Sequence, residues 1–221
     1  MGHEKLSGRA GPTIASGNAM SAHRSLSVGL SLALALTWAA DAYAQAEIRK
    51  QFESGQYQQV IEAATPDAEP SVVYMAALSH QKAGAVDQAV GAARRLAELP
   101  EDGAWHFVGE SLAQLLEDQT DAALESARRA AGMPDAPAEA HYQLGLVLAR
   151  RQDWREAAES FDRVTAADPS NAYAYYFGGL MHYRANRTDL MAVRFERFLK
   201  LAPEAPERPE VMQIMRTMRG R

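Results

Sequence analysis

The chain contains no cysteine. Disulfides, thiolate nucleophiles, cysteine-ligated zinc, iron–sulfur clusters and a lipid-modified cysteine anchor are thereby excluded. β-Branched residues are sparse while alanine recurs throughout, which disfavours a sheet protein and favours helix. An excess of positive charge is also missing: 23 Lys and Arg stand against 28 Asp and Glu, for a net charge of −5. General nucleic-acid binding needs a basic face, so no nucleic-acid partner is expected. No HExxH or paired-histidine spacing offers a metal site, and no Gly-x-Ser-x-Gly elbow occurs. Gly178-Gly179 lacks the strand–turn–helix setting of a phosphate loop. Neither a catalytic site, a cofactor nor a metal is expected. What is present is an ordinary globular composition, 47% apolar in 221 residues, enough for one domain or two small ones plus a tail.

Long apolar runs are lacking, with one exception. Residues 26–40, LSVGLSLALALTWAA, carry no charge, follow Arg24 and lead to Ala42-x-Ala44. A basic start, an apolar middle and a small-x-small exit make a secretory signal. The run is shorter than the ~20 residues a spanning helix needs. An uncleaved membrane anchor is the rival reading. Residues 1–19 are rich in Gly, Ser and Ala and show no helical period, so they read as untranslated or disordered. Counted from Met20, a signal over residues 20–44 has the usual size. The mature chain would begin at Gln45 and be periplasmic or secreted, with no stable membrane insertion after signal cleavage. Its charge is uneven. Residues 45–148 hold 7 basic against 16 acidic side chains, and residues 149–221 hold 13 against 10. Solvated helix faces account for this, or a dipolar molecule that orients its partner.

The mature region repeats itself. His141-x2-Leu144-Gly145-x2-Leu148, then Ala157-x3-Phe161, then Pro169 returns 34 residues later. The second copy reads Tyr175-x2-Gly178-Gly179-x2-His182, Met191-x3-Phe195, Pro203. Two degenerate copies precede them. One carries Val108-Gly109, Ala123-x3-Ala127 and Pro134, the other Ala76-Ala77, Ala89-x3-Ala93 and Pro100. The small residues Ala77, Gly109, Gly145 and Gly179 lie 32, 36 and 34 apart. The pattern resembles the tetratricopeptide repeat, W-x2-L-G-x2-Y…A-x3-F…P, a helix–turn–helix unit of 34 residues, here of an exported bacterial type. The small residue lets the second helix of a pair approach the first, and the prolines stop one unit and start the next.

The resemblance implies an all-α, right-handed superhelical solenoid of antiparallel helix pairs. Its units would be a degenerate pair at 45–69, repeats at 70–101, 102–137, 138–171 and 172–205, and a capping helix at 206–221. Pro209-Glu210 opens that helix, with Val211, Ile214, Met215 and Met218 on one face. A repeat array needs such an end, although the methionines also suit an adaptable docking surface. His80, His141 and His182 stand at large packing positions of the repeat, which marks them as packed rather than ligating.

In this family the first helices line a concave face that holds peptide segments. The residues three before the small ones are Tyr74, His106, Tyr142 and Tyr176. Just after the small ones come Leu78, Leu146 and Leu180, and five after come Lys82, Arg150 and Arg184, with Tyr173 and Tyr183 adding two aromatics. Tyrosine, leucine and arginine together have the composition of a binding hot spot. Each tyrosine could equally pack between repeats, since helix phase does not separate the two. The asparagines of the family's carboxylate-gripping members are absent. The expected function is a non-enzymatic scaffold that binds a peptide segment of a cell-envelope protein. The alternative is an accessory subunit of a periplasmic hydrolase, or an enzyme in its own right. Export is expected to release a protein that starts at Gln45. Intact mass measured on material from the native host checks this, and a mature form that retains the apolar run would establish the anchor instead.

Overall fold

The computed structural model describes residues 43–219. The fold described below is that of the unit 44–221. The expected signal at 20–44, the start at Met20 and the leading 1–19 lie outside the described residues, apart from Tyr43 and Ala44.

Eleven α-helices and no strand occur among the described residues. They are α1 (43–53), α2 (Tyr57–Ala63), α3 (Pro70–Lys82), α4 (Val86–Ala97), α5 (Ala104–Leu116), α6 (Thr120–Ala131), α7 (Ala138–Arg150), α8 (Trp154–Ala167), α9 (Ala172–Arg184), α10 (Thr188–Leu201) and α11 (Arg208–Arg219). From α2 to α11 each helix packs on its neighbours in sequence, and α5 also meets α7. This is a solenoid of tetratricopeptide type with α11 closing its C-terminal end. None of the described helices is long and apolar enough to cross a membrane.

Local chemistry explains the breaks. Pro70 starts α3 where its missing N–H costs nothing. The Asn171 side chain accepts from Ala174 N at 3.0 Å and so caps α9. Within each pair the turn is the same. Gly84, Asp118, Gln152 and Asn186, spaced by 34, all adopt positive φ, between 58° and 77°. The next residue then bonds back five positions: Ala85 to His80 O, Gln119 to Gln114 O, Asp153 to Leu148 O and Arg187 to His182 O, at 2.8–2.9 Å. A left-handed residue after the last helical turn satisfies carbonyls that would otherwise be orphaned.

The close approach inside each pair follows the same period. A methyl group on Gly145 would lie 2.8 Å from the Phe161 ring, and one on Gly179 would lie 2.5 Å from Phe195. Phe161 and Phe195 are fully buried. Phe161 also stacks on Phe177 of the next pair, with centroids 5.5 Å apart and planes 18° apart. In the second full pair the register differs from the sequence reading. Gly109 faces backwards, where a methyl group would lie 2.5 Å from Ala97 N and 2.6 Å from Ala93 O on α4. The residue that faces its own partner helix is Ser111, whose hydroxyl donates to Ala123 O at 2.9 Å. Ala77, Ser111, Gly145 and Gly179 are then each 34 apart, and the uneven spacing disappears.

Ser111 also belongs to a buried polar chain. Tyr74 OH donates to Gln143 Oε1 at 3.0 Å, and Gln143 Nε2 donates to Ser111 Oγ at 3.2 Å. Gln143 is wholly buried. The chain ties α3, α5, α6 and α7 together, and leaving one member unsatisfied costs about 1–3 kcal/mol.

Phe161→Ala is expected to lower stability by about 3–5 kcal/mol, as truncated core aromatics do. Gly145→Leu is expected to cost at least the ~1–3 kcal/mol of an overpacked core. Gly109→Ala should also destabilise, because the atoms its methyl meets are backbone and cannot rotate away. Urea melts of the three variants check the packing; melts that coincide with the parent's would show that these contacts are not made.

Candidate interaction face

Six of the twelve side chains expected at a groove converge on the inner face of α3, α7 and α9. Tyr74, Leu78, Tyr142, Tyr173 and Tyr176 are all buried there, and Lys82 stands exposed at the edge. Tyr74 and Tyr142 meet edge to face with centroids 6.4 Å apart, and Tyr142 also touches Phe161 and Phe177 at 5.4 and 5.9 Å. Burial pushes the pKa of each of the four phenols up, so all are neutral donors.

The other six are joined to this cluster by no hydrogen bond or ring contact among the described residues, although Leu146 and Leu180 pack against the core. His106 packs against the α4–α5 connection, with Nδ1 3.0 Å from Leu99 O and Nε2 3.4 Å from Glu110. The residue 34 before Tyr142 is Val108, so the misplaced register moved His106 onto the inner face. Arg150 pairs with Asp118 across consecutive turns, and the Arg184 guanidinium lies 6.0 Å from the Trp154 ring. Leu146 and Leu180 are half-buried, and Tyr183 is exposed.

The inner face is occupied by the chain's own two ends. From the N-terminal side, α1 brings Arg49, Phe52 and Glu53. The Phe52 ring sits 5.1 Å from Tyr173. Arg49 pairs with Asp168, and Glu53 accepts from Ala172 N at 3.0 Å. From the C-terminal side comes the α10–α11 connection. Glu207 accepts from Lys82 Nζ at 2.6 Å and from Tyr173 OH at 2.5 Å, and Glu210 accepts from Tyr176 OH at 3.0 Å. The first full repeat and the α10–α11 connection are thereby joined across 125 residues of sequence. Glu53, Glu207 and Glu210 do not follow from the repeat pattern, because they lie outside the four full repeats. Pro203 and Pro206, which fall between α10 and α11, are the sequence signal that could have pointed to an irregular connection.

Between α1 and the tyrosines remains a cavity of about 40 Å³, lined among others by Glu53, Glu139, Tyr74 and Tyr142. It has room for about one or two waters. Burial pushes the Glu53 carboxyl up to about 7, against the Ala172 N–H and the Arg49 charge, which pull the other way. Burial raises Glu139 as well. Perturbed carboxyls are a feature of active sites; here burial between α1 and the neighbouring helices raises both. Among the described residues no group of three or more His, Asp and Glu is placed to hold a metal.

No protein-family model and no curated protein matches the chain. Among solved structures, a crystal structure of MamA is similar to it at 21% identity, over 66% of this chain and 84% of that one, with a TM-score of 0.46. A second MamA structure has 20% identity over 73% and 91%, with a TM-score of 0.45. YrrB, described as a TPR protein with an unusual peptide-binding site, has 20% identity over 67% and 75%, with a TM-score of 0.46.

The Glu53 carboxyl makes the docking of α1 sensitive to pH. In the fold it keeps its proton up to about pH 7, against an ordinary 4.5. Its contribution to stability is therefore whole below 4.5 and is lost as the pH rises to 7. Amides of residues 44–53 are expected to be better protected from hydrogen exchange at pH 5.5 than at pH 8, after correction for intrinsic rates. Glu53→Gln, which keeps an acceptor for Ala172 N, should flatten that difference. Equal protection at both pH values in the parent would show that the carboxyl ionises in place.

Proposed function

We propose that the chain, a tetratricopeptide-like scaffold without catalytic motifs, is exported, works in the periplasm, and holds a segment of a cell-envelope protein on the inner face of its first helices. The apolar run followed by Ala42-x-Ala44 supports export. The observation that carries the binding reading is the convergence of Lys82, Tyr173 and Tyr176 on one side, where their donors hold Glu207 of an irregular, proline-containing connection and Glu210 of the first turn of α11. A face that grips such a stretch of its own chain has the chemistry to grip one from another protein: phenols on an apolar floor, and a cation at the rim.

A photocrosslinking residue at position 81, compared with one at position 125, tests this in the native envelope. Gln81 is exposed next to Lys82, which keeps its charge, and Glu125 is exposed on the second helix α6. A discrete adduct is expected from position 81 and not from 125. It should weaken by about tenfold or more when Tyr176 is changed to Ala, the loss of a hot-spot side chain of about 2 kcal/mol. Equal adducts from both positions, or adducts from 125 alone, would remove the inner face from the function.

A further inference from the structure

The stretch that closes the inner face has the properties of a ligand rather than of a repeat. Residues 202–207, between α10 and α11, are not helical. Pro203 and Pro206 remove backbone donors from it, and Pro209 does the same in the first turn of α11, so docking relies on side chains. Ala205 is buried as a small apolar anchor. Glu207, whose side chain keeps only 11% of its exposure, carries two charge-assisted or phenolic hydrogen bonds to other helices. Glu210, three residues on, takes a third from Tyr176. Pro206 lies against the turn after α1, where a methyl on Gly55 would come within 2.9 Å of its ring. Beyond these points the stretch is held by fewer buried anchors than the repeats. Among the described side chains of α11 only Val211 is buried, Ile214, Met215 and Met218 are half-buried against the core, and Met212 is 43% exposed. An element with few buried anchors opens at a lower free energy than the core it covers.

We propose that residues 203–211 are an internal copy of the partner's recognition segment: the inner face binds a short acidic, proline-containing stretch of another protein with two glutamates three residues apart, and the chain's own copy must be displaced for it to bind. This rests on the reading of the inner face given above and adds the chemistry of its partner. The partner's carboxylates take the places of Glu207 and Glu210 on Lys82, Tyr173 and Tyr176, and a small apolar residue takes the place of Ala205. A partner lacking the acids leaves Lys82 and two buried phenols without acceptors, which is the source of selectivity. Because the closed form competes, the apparent affinity is the intrinsic one scaled by the open fraction.

The test uses the full chain and a labelled peptide that copies residues 203–212, with a control peptide in which the glutamates matching 207 and 210 are glutamine. Glu207→Gln combined with Glu210→Gln in the protein removes the internal competitor. That variant is expected to bind the acidic peptide about tenfold more tightly than the parent. Lys82→Ala in the same background should lose most of that gain, and the glutamine peptide should bind at least tenfold more weakly than the acidic one. Should the double variant fold poorly, hydrogen exchange of the parent carries the test. Saturating acidic peptide must speed exchange at residues 205–211, and unchanged exchange with bound peptide overturns the inference. Equal binding of both peptides overturns it too, as does an apparent mass that doubles with concentration, which would make a second copy the occupant. An adduct at position 81 that neither the peptide nor the double variant affects would refute the internal copy and leave the inner face as the binding site.

Discussion

Helix pairs in this protein approach so closely that their contact positions admit only small residues, and the rest of the architecture follows from that distance. Ala77, Ser111, Gly145 and Gly179 hold the four contact positions at intervals of 34 residues. A partner side chain fills the space each one leaves, as the Phe161 and Phe195 rings do against Gly145 and Gly179. The left-handed residues at 84, 118, 152 and 186 return the chain at the same period, so every pair is built to one pattern. Identical pairs stack with a constant offset, and stability accumulates from neighbour to neighbour along the array.

An array of this kind leaves two exposed ends and one inner surface. Here these needs are met together. The inner surface is covered by α1 and by the α10–α11 connection, and the contacts that do so are mostly ionic or hydrogen-bonded: Arg49 to Asp168, Glu53 to Ala172, Lys82 to Glu207 and Tyr176 to Glu210. The inter-repeat core is by contrast mostly apolar, with the Tyr74–Gln143–Ser111 chain and the contact of His182 with Asp162 among its polar ties. The difference matters for function. Apolar packing between repeats does not respond to pH or to a competing carboxylate, whereas the covering of the inner face responds to both. Burial of the four tyrosines is thus of two kinds. Tyr74 and Tyr142 are tied into the core, while Tyr173 and Tyr176 are covered by glutamates from the connection.

The helical class, the pairing of neighbouring helices and the small-to-large contacts at Gly145 and Gly179 were legible in the sequence. They depend on residues 34 apart or less, and a periodic pattern records such contacts directly. The misplacement of Gly109 shows the limit of that record. A glycine attracts the eye as the small residue of a pair, yet Gly109 meets the backbone of α4, and Ser111 does the work expected of it. Insisting on the constant period would have identified Ser111, and with it Val108 rather than His106 on the inner face.

The occupant of the inner face was not legible, for a physical reason. Lys82 and Glu207 are 125 residues apart, as Arg49 and Asp168 are 119 apart. Whether such residues meet depends on the small rotation between pairs, summed over the whole array. No local spacing encodes that sum. The sequence by itself determined the repeating unit, since close helix packing and helix-stopping turns are local demands on residue size and backbone conformation. Only the tertiary structure decided that the two ends of the array meet and which side chains they cover, because that outcome belongs to the curvature of all the pairs together.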